Sequence, residues 1–161
     1  MSTTVKPIPE PFHSLTPALN VHDCAGAMDF YQRAFGAVER YRLPLPNGSI
    51  MHAEMMIGDS VFMLADESPD WGNRSAKTLG GTPVTLLIYV ADCDAVFAQA
   101  ADAGATVEMP LSPQFWGDRM GAVLDPYGFK WMIATHEEDL TPEQIAERGK
   151  AFMSANHCPE N

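Results

Sequence analysis

Residues 85–93 of this chain read Thr-Leu-Leu-Ile-Tyr-Val-Ala-Asp-Cys. They repeat residues 16–24, Thr-Pro-Ala-Leu-Asn-Val-His-Asp-Cys, at an offset of about 69 positions. Each copy joins a strand-like run to an aspartate placed to cap a helix. Residues 62–65 fall on residues 131–134 in the same register, and Gly36 falls on Gly104 at an offset one residue short. Two units of the same element order could look alike without being repeats, but the identical residues favour a true repeat.

The pattern of each unit predicts a strand, a helix and three strands. The helices begin after Asp23 and Asp92 and end at Gly36 and Gly104. The predicted strands are residues 15–21, 38–43, 50–57 and 61–65, then residues 84–90, 106–109, 119–124 and 129–135. Thr141 begins a last helix, because Gln144 completes a capping box. The pattern therefore predicts an α+β protein with two tandem βαβββ modules and a C-terminal helix.

The same pattern sets the domain boundaries. We expect an N-terminal arm over residues 1–11, a single domain over 12–135, and a C-terminal helix and tail over 136–161. Within the domain, module one is 12–66, a connecting loop is 67–82 and module two is 83–135. Each module is too small to be stable alone, so the two should fold as one unit. The connecting loop, rich in glycine and polar residues, is either a lid over a cleft or a plain crossover.

The composition and net charge limit the kinds of partner that this chain can bind. The 161 residues are 46% hydrophobic and 19% charged, which is ordinary for a globular protein and excludes a disordered chain. A net charge of −11 disfavours nucleic acid and anionic lipid, and slightly favours a neutral or cationic ligand. The odd set Cys24, Cys93 and Cys158 is not a disulfide framework. With no signal-like segment or membrane-length apolar run, we expect a cytoplasmic protein.

Several motifs resemble a known family. They are Met-His-Ala-Glu-Met at 51–55, Ile-Gly-Asp-Ser at 57–60, Ala-Asp-Glu at 65–67, Lys-Thr-Leu-Gly-Gly-Thr-Pro at 77–83, and Trp-Gly-Asp-Arg at 116–119 running on to Asp-Pro-Tyr-Gly at 125–128. Over roughly residues 12–139 the chain resembles the vicinal oxygen chelate superfamily of glyoxalase I, extradiol dioxygenases and bleomycin-resistance proteins, and most closely its PhnB-like branch. The resemblance implies a half-open mixed β-barrel and a homodimer. It says little about reaction, because fold does not fix function.

The resemblance also implies where a metal would bind. Metal enzymes of the superfamily carry His or Gln on the first strand and Glu on the last strand of each module. The matching positions here are Thr16, Met63, Thr85 and Met132. Two hydroxyls and two thioethers are not the ligands of a divalent cation, and two methionines on barrel strands are better explained as core. We therefore expect no family-type metal site and no cofactor.

His52 and Glu54 are the leading candidates for a displaced site. Two residues apart on a strand, they face the same side, while Met51, Ala53 and Met55 face the other and form the better core candidate. The pair could hold a metal with a third ligand, or act as a base with an orienting carboxylate. The alternative is a polar stripe that faces solvent.

The other candidates are in module two. Trp116, Asp118 and Arg119 precede a strand, where an arginine beside aromatic rings can clamp an anionic group, or can form a salt bridge at the strand entrance. Trp131 reads as core or cleft wall, and Trp71 as an exposed loop aromatic.

Two further groups read as structural. Cys24 and Cys93 begin helices, where thiol pKa values fall, but both lie on or beside the apolar stripe and read as small buried residues rather than nucleophiles. The run His-Glu-Glu-Asp at 136–139 resembles a metal clasp, although such charge runs are usually solvated.

Three functions fit these observations. The first is a module that binds a small organic molecule in the barrel cleft without turnover. The second is a lyase, isomerase or dioxygenase that uses a displaced metal at His52 and Glu54, or metal-free acid–base chemistry. The third is an oligomeric scaffold with a residual cleft.

Overall fold

Two copies of one βαβββ unit make up the body of the protein. The computed structural model describes residues 5–156, so Cys158 and the end of the predicted tail lie outside the described residues. Module one consists of β1 (Ala18–Val21), α1 (Cys24–Phe35), β2 (Val38–Pro44), β3 (Ile50–Ile57) and β4 (Ser60–Asp66). Module two consists of β5 (Thr85–Tyr89), α3 (Cys93–Ala103), β6 (Thr106–Pro113), β7 (Asp118–Leu124) and β8 (Lys130–His136). A short helix, α2 (Ala76–Leu79), lies between the modules, and α4 (Pro142–Ala155) follows them.

The two modules form equivalent sheets. Their strand orders are β1-β4-β3-β2 and β5-β8-β7-β6. In both sheets the first strand pairs parallel to the last, and the remaining pairs are antiparallel. The predicted α+β class with paired βαβββ modules is confirmed. Within residues 5–156 the eight strands lie in two four-stranded mixed sheets, with no ladder between them.

Two strand boundaries differ from the prediction by three or four residues, both at prolines, and the other boundaries differ by at most one residue. β1 begins at Ala18 rather than residue 15, since Pro17 has no amide hydrogen to extend the ladder. β6 continues to Pro113 instead of stopping at residue 109. It tolerates Pro110 because it is an edge strand with register shifts between Val107 and Ser112.

The helix ends follow the predicted capping chemistry. Asp23 accepts a hydrogen bond from the amide of Gly26 at 3.0 Å, and Asp92 accepts one from Ala95 at the same distance. Gly36 ends α1 in the left-handed region, with φ 64°. The capping box at the start of α4 is also present. No helix within residues 5–156 is both long and apolar enough to cross a bilayer.

The core lies between the helix-facing sides of the two sheets. The Trp131 ring from β8 lies 4.6 Å from the Phe35 ring and 5.4 Å from the Tyr31 ring, both from α1. Module two thus packs a tryptophan against the helix of module one. The two helices also pack against each other.

A buried carboxylate lies at the centre of this packing. Asp125 accepts hydrogen bonds from the Tyr31 hydroxyl at 2.7 Å and from the Trp131 indole at 2.9 Å. Its other oxygen accepts from the amides of Tyr127 and Phe129, each at 2.8 Å. Burial raises the pKa of Asp125, while these four donors favour its ionised form. One side chain therefore joins α1, the β7–β8 turn and β8.

The connecting segment is an ordered crossover in this structure. The Ser75 amide donates to Glu67 at 2.9 Å, and the Ser75 side chain is fully buried at the start of α2. Gly128 of module two lies against Ala76 so closely that a Cβ at Gly128 would approach the Ala76 side chain to 3.2 Å. These contacts support the crossover reading over a lid. Trp71, within the segment, is exposed.

Replacing Asp125 with asparagine should destabilise the fold. The amide NH₂ would face the Trp131 indole N–H, a donor that then loses its acceptor, and we expect a loss of about 2–3 kcal/mol. Urea unfolding followed by circular dichroism measures the effect. Asp70→Asn, an exposed aspartate in the crossover, is the matched control. If both variants unfold at the wild-type urea concentration, Asp125 is not the stabilising centre described above.

Candidate functional site

His52, Glu54 and Asp118 lie on the open faces of the sheets, meaning the faces turned away from α1 and α3. On the first sheet, Glu54 lies between Met63 of β4 and Tyr41 of β2 in the strand register. Ala53 and Met55 point the other way and are completely buried against the core. His52 and Glu54 therefore share the less buried face, as the alternation of β3 predicted.

A cluster of three charged or titratable groups forms on this first open face. The Arg40 guanidinium donates to Glu54 Oε2 at 2.8 Å, and His52 Nε2 lies 3.4 Å from Glu54 Oε1. The Glu54 side chain is only 19% exposed. Arg40 reaches this face because the β2–β3 register shifts between Glu39 and Tyr41. Both carboxylate oxygens of Glu54 thus already have partners.

The positions that match the family metal ligands do not fit a divalent cation. Met63 and Met132 lie on the open faces of β4 and β8, and Thr85 begins β5. Thr16 precedes β1, and its hydroxyl donates to the His13 carbonyl at 3.4 Å. The nearby carboxylate of Glu54 is held by Arg40. This set offers thioethers and hydroxyls where a hard cation needs imidazole or carboxylate groups.

A second polar cluster lies on the open face of the other sheet, around Asp118. Asp118 is 4% exposed, and its Oδ2 accepts from the Tyr89 hydroxyl and the Trp116 indole, both at 2.9 Å. Its Oδ1 lies 2.8 Å from His136 Nδ1. The other ring nitrogen of His136 lies 3.0 Å from Asp139 Oδ1.

The electrostatics of this second cluster favour charge on both central groups. Burial alone would raise the pKa of Asp118, but the hydrogen bonds from His136, Tyr89 and Trp116 hold it below its usual value. The hydrogen bonds of His136 to Asp118 and then Asp139 raise the pKa of the imidazole. The imidazole of His136 thus lies between two carboxylates, which favour its protonated form.

The remaining predicted residues lie elsewhere. Arg119 points to the helix side of β7, where its guanidinium donates to both carboxylate oxygens of Asp94 at 2.6 and 2.7 Å. Trp131 is buried in the core. Within one chain the six predicted cleft residues therefore divide into two open-face clusters (His52 with Glu54, Trp116 with Asp118), one salt bridge and one core aromatic.

A cavity of about 400 Å³ lies between the modules, and Tyr89 of the Asp118 cluster lines part of it. Trp131 lines it together with Phe35, Phe62, Leu86 and Ile88, and the β3–β4 turn closes one side. Its wall is mainly apolar.

The helix-start cysteines are buried. Cys24 is completely buried, and burial, followed by the nearby Asp66, raises the pKa of its thiol to about 12. Cys93 is 2% exposed. Neither site resembles that of an activated thiolate, which needs an exposed and electropositive setting.

Three residues of the two clusters were not predicted as site residues from the sequence. Tyr89 shares a face with Thr85 by simple alternation along β5, and this signal was available. His136 was assigned to a solvated charge run because the strand was ended at residue 135, whereas β8 includes it. Arg40 depends on a register shift that has no clear mark in the sequence.

Known proteins share this sequence and this fold. A protein of Mycobacterium bovis, itself uncharacterised, is 43% identical over 135 residues, covering 82% of this chain and 89% of its own. A solved structure of an Arabidopsis thaliana gene product is 31% identical with a TM-score of 0.62, covering 76% of this chain and 98% of that one. A Bacillus cereus PhnB protein has the same fold, with a TM-score of 0.61 at 20% identity over 76% of this chain and 99% of that one.

The family assignment rests on a match over most of the chain. The sequence model of the Glyoxalase/Bleomycin resistance protein/Dioxygenase superfamily matches residues 13–133. This range contains both βαβββ modules and both sheets. The chain therefore belongs to the Glyoxalase/Bleomycin resistance protein/Dioxygenase superfamily.

Proposed function

We propose that this protein binds a small organic molecule on the open faces of its sheets, without a divalent metal or another cofactor. The observation that carries the proposal is the Arg40–Glu54–His52 cluster. It places fixed polar groups on a part-buried surface beside Met63, one of the positions where metal enzymes of the superfamily have a ligand. Ordered polar groups within an apolar surface are typical of small-molecule sites.

The chemistry of the first cluster favours organic binding over metal binding. A cation at Glu54 would have to displace the Arg40 guanidinium and would then lie beside that positive charge. His52 and Tyr41 have fewer hydrogen-bond partners than Glu54, and their rings lie 6.3 Å apart. They therefore offer hydrogen bonding and ring contact to a ligand.

We also propose that the protein acts as a homodimer. β1 and β5 are edge strands with one neighbour each. Val84, Leu87 and Tyr89 on or beside β5 are exposed, as are Val38, Tyr41 and Leu43 on the edge strand β2. Exposed apolar edges need cover, and a second copy would supply it while closing the open faces into clefts.

An enzyme remains the alternative, and one contact favours it. The 3.4 Å approach of His52 to Glu54 is the arrangement of an imidazole base with an orienting carboxylate. That arrangement needs no metal.

We place the protein in the cytoplasm, with no nucleic-acid or membrane partner, because Cys24 and Cys93 are free thiols and the chain is acidic.

Divalent metals should not stabilise the protein. In thermal-shift measurements with Ni²⁺, Zn²⁺ or Fe²⁺, each compared with added EDTA, we expect Tm to stay constant, because a ligand that binds the native state would raise it. An EDTA-reversible rise in Tm that disappears in Glu54→Gln would contradict the proposal and support a displaced metal site.

Ligands of the first open face should depend on His52 and Glu54. A thermal-shift screen with neutral and cationic aromatic compounds identifies binders. We expect His52→Ala and Glu54→Gln to weaken them about tenfold or more, as for a lost hydrogen bond to a charged group. Glu147→Ala, an exposed glutamate on α4, is the matched control. Circular dichroism establishes that the variants are folded. Binders with equal affinity for all variants would place the site elsewhere.

Sedimentation velocity tests the homodimer. We expect twice the 17.6 kDa chain mass for the wild type and a monomer for Leu87→Lys, because a buried lysine would be unpaired at the interface. Leu79→Lys, at an exposed position in α2 (63% exposed, against 43% for Leu87), is the control and should remain dimeric. A monomeric wild type at all concentrations would exclude the homodimer.

A further inference from the structure

The Asp118 cluster fixes one histidine at the end of the second sheet. Tyr89, Asp118 and His136 come from the three neighbouring strands β5, β7 and β8 and lie on the same open face. His136 Nδ1 is 2.8 Å from the buried carboxylate of Asp118, which sets the orientation of the ring. The other nitrogen, Nε2, points away from Asp118. It is the ring atom through which His136 can form a hydrogen bond to a further group. The His136 side chain is 52% exposed.

The present partner of Nε2 is weakly held. Asp139 Oδ1 lies 3.0 Å away, but the Asp139 side chain is fully exposed. Within residues 5–156, this contact is the only side-chain hydrogen bond of Asp139. Exposed ion pairs contribute little to stability, so another acceptor can replace the Asp139 carboxylate at small cost.

The surroundings of His136 supply an apolar surface. Tyr89 and Trp116 direct their polar atoms to the same Asp118 carboxylate that His136 contacts, so both rings lie close to the imidazole. Tyr89 is largely exposed. Phe115 supports Trp116 edge-on, with ring centroids 4.9 Å apart. An aromatic or apolar body can therefore pack beside the imidazolium.

We propose that His136 binds the carboxylate group of a small aromatic or apolar organic acid, and that Asp139 occupies this position from within the chain when no ligand is bound. This inference rests on the proposed function, because it assigns a ligand class to an open face. The net charge of −11 opposes an anion at long range, but physiological salt screens such effects beyond about 8 Å. The hydrogen bond between a ligand carboxylate and His136 acts at short range, so this screening does not weaken it in the same way.

The charge of His136 predicts the pH dependence. The groups that face it are Asp118, with Tyr89 behind it, and Asp139, while Glu137 is its chain neighbour and Glu138 is paired with Arg148 of α4 at 2.8 Å. The carboxylates raise the pKa of the imidazole. Binding should therefore be strongest below that raised pKa and weaken as pH rises through it, because neutral imidazole binds a carboxylate less well.

The test uses benzoate, with benzyl alcohol and benzylamine as neutral and cationic analogues, titrated by NMR while the His136 ring signals are followed. Asp139→Asn removes the negative charge of the internal competitor, so we expect benzoate to bind about two- to fivefold more tightly than to the wild type. Glu137→Gln is the matched control, since it removes the same charge without a contact to His136. His136→Gln should abolish benzoate binding while circular dichroism shows an intact fold.

Equal benzoate affinity in Asp139→Asn and Glu137→Gln would overturn the inference. So would equal binding of benzyl alcohol, binding that survives in His136→Gln, or no benzoate binding to either the wild type or Asp139→Asn. None of these results affects ligands that depend on His52 and Glu54, so failure here is distinguishable from failure of the proposed function. Conversely, a benzoate site that behaves as expected, with no ligand sensitive to His52 or Glu54, would leave the second open face as the binding face.

Discussion

The packing of the two modules depends on the buried carboxylate of Asp125. An ionisable group in an apolar core is unfavourable unless its oxygens have donors. Here the donors come from both modules, with Tyr31 from α1 and Trp131 from β8. Satisfying this one carboxylate requires the helix-facing sides of both sheets to pack together. This packing also determines where the open faces lie, because the opposite sides of both sheets are then left uncovered.

Each open face carries a carboxylate with donors arranged around it, but the two clusters differ in burial. Glu54 is partly accessible, and its partners Arg40 and His52 lie beside it on neighbouring strands. Asp118 is nearly inaccessible and acts through His136. The first cluster is therefore suited to direct contact with a ligand. The second is suited to orienting another group that makes the contact.

The sequence predicted the fold well because the fold depends on local signals. Helix caps such as Asp23 and Asp92, and the alternation of buried and open residues along β3, are readable without any knowledge of tertiary contacts. The site was less predictable because its residues meet across strands. Arg40 reaches the first cluster through a register shift, and one of the donors to Asp125, the Tyr31 hydroxyl, comes from a residue distant in sequence. Sequence patterns specify neither register shifts nor long-range donors.

The divergence of the two modules shows which positions the fold constrains. The amide of Cys24, at the start of α1, donates to the Asp66 carboxylate at 2.7 Å, and the equivalent amide of Cys93 donates to the Thr135 hydroxyl at 2.9 Å. Both side chains satisfy the same otherwise unpaired helix-start donor, so the bond is kept although the residue type has changed. The open-face positions meet no such backbone requirement. Residues there, including Met63 and Met132, can change without loss of a structural hydrogen bond. A superfamily fold can therefore persist while the side chains on its open faces vary.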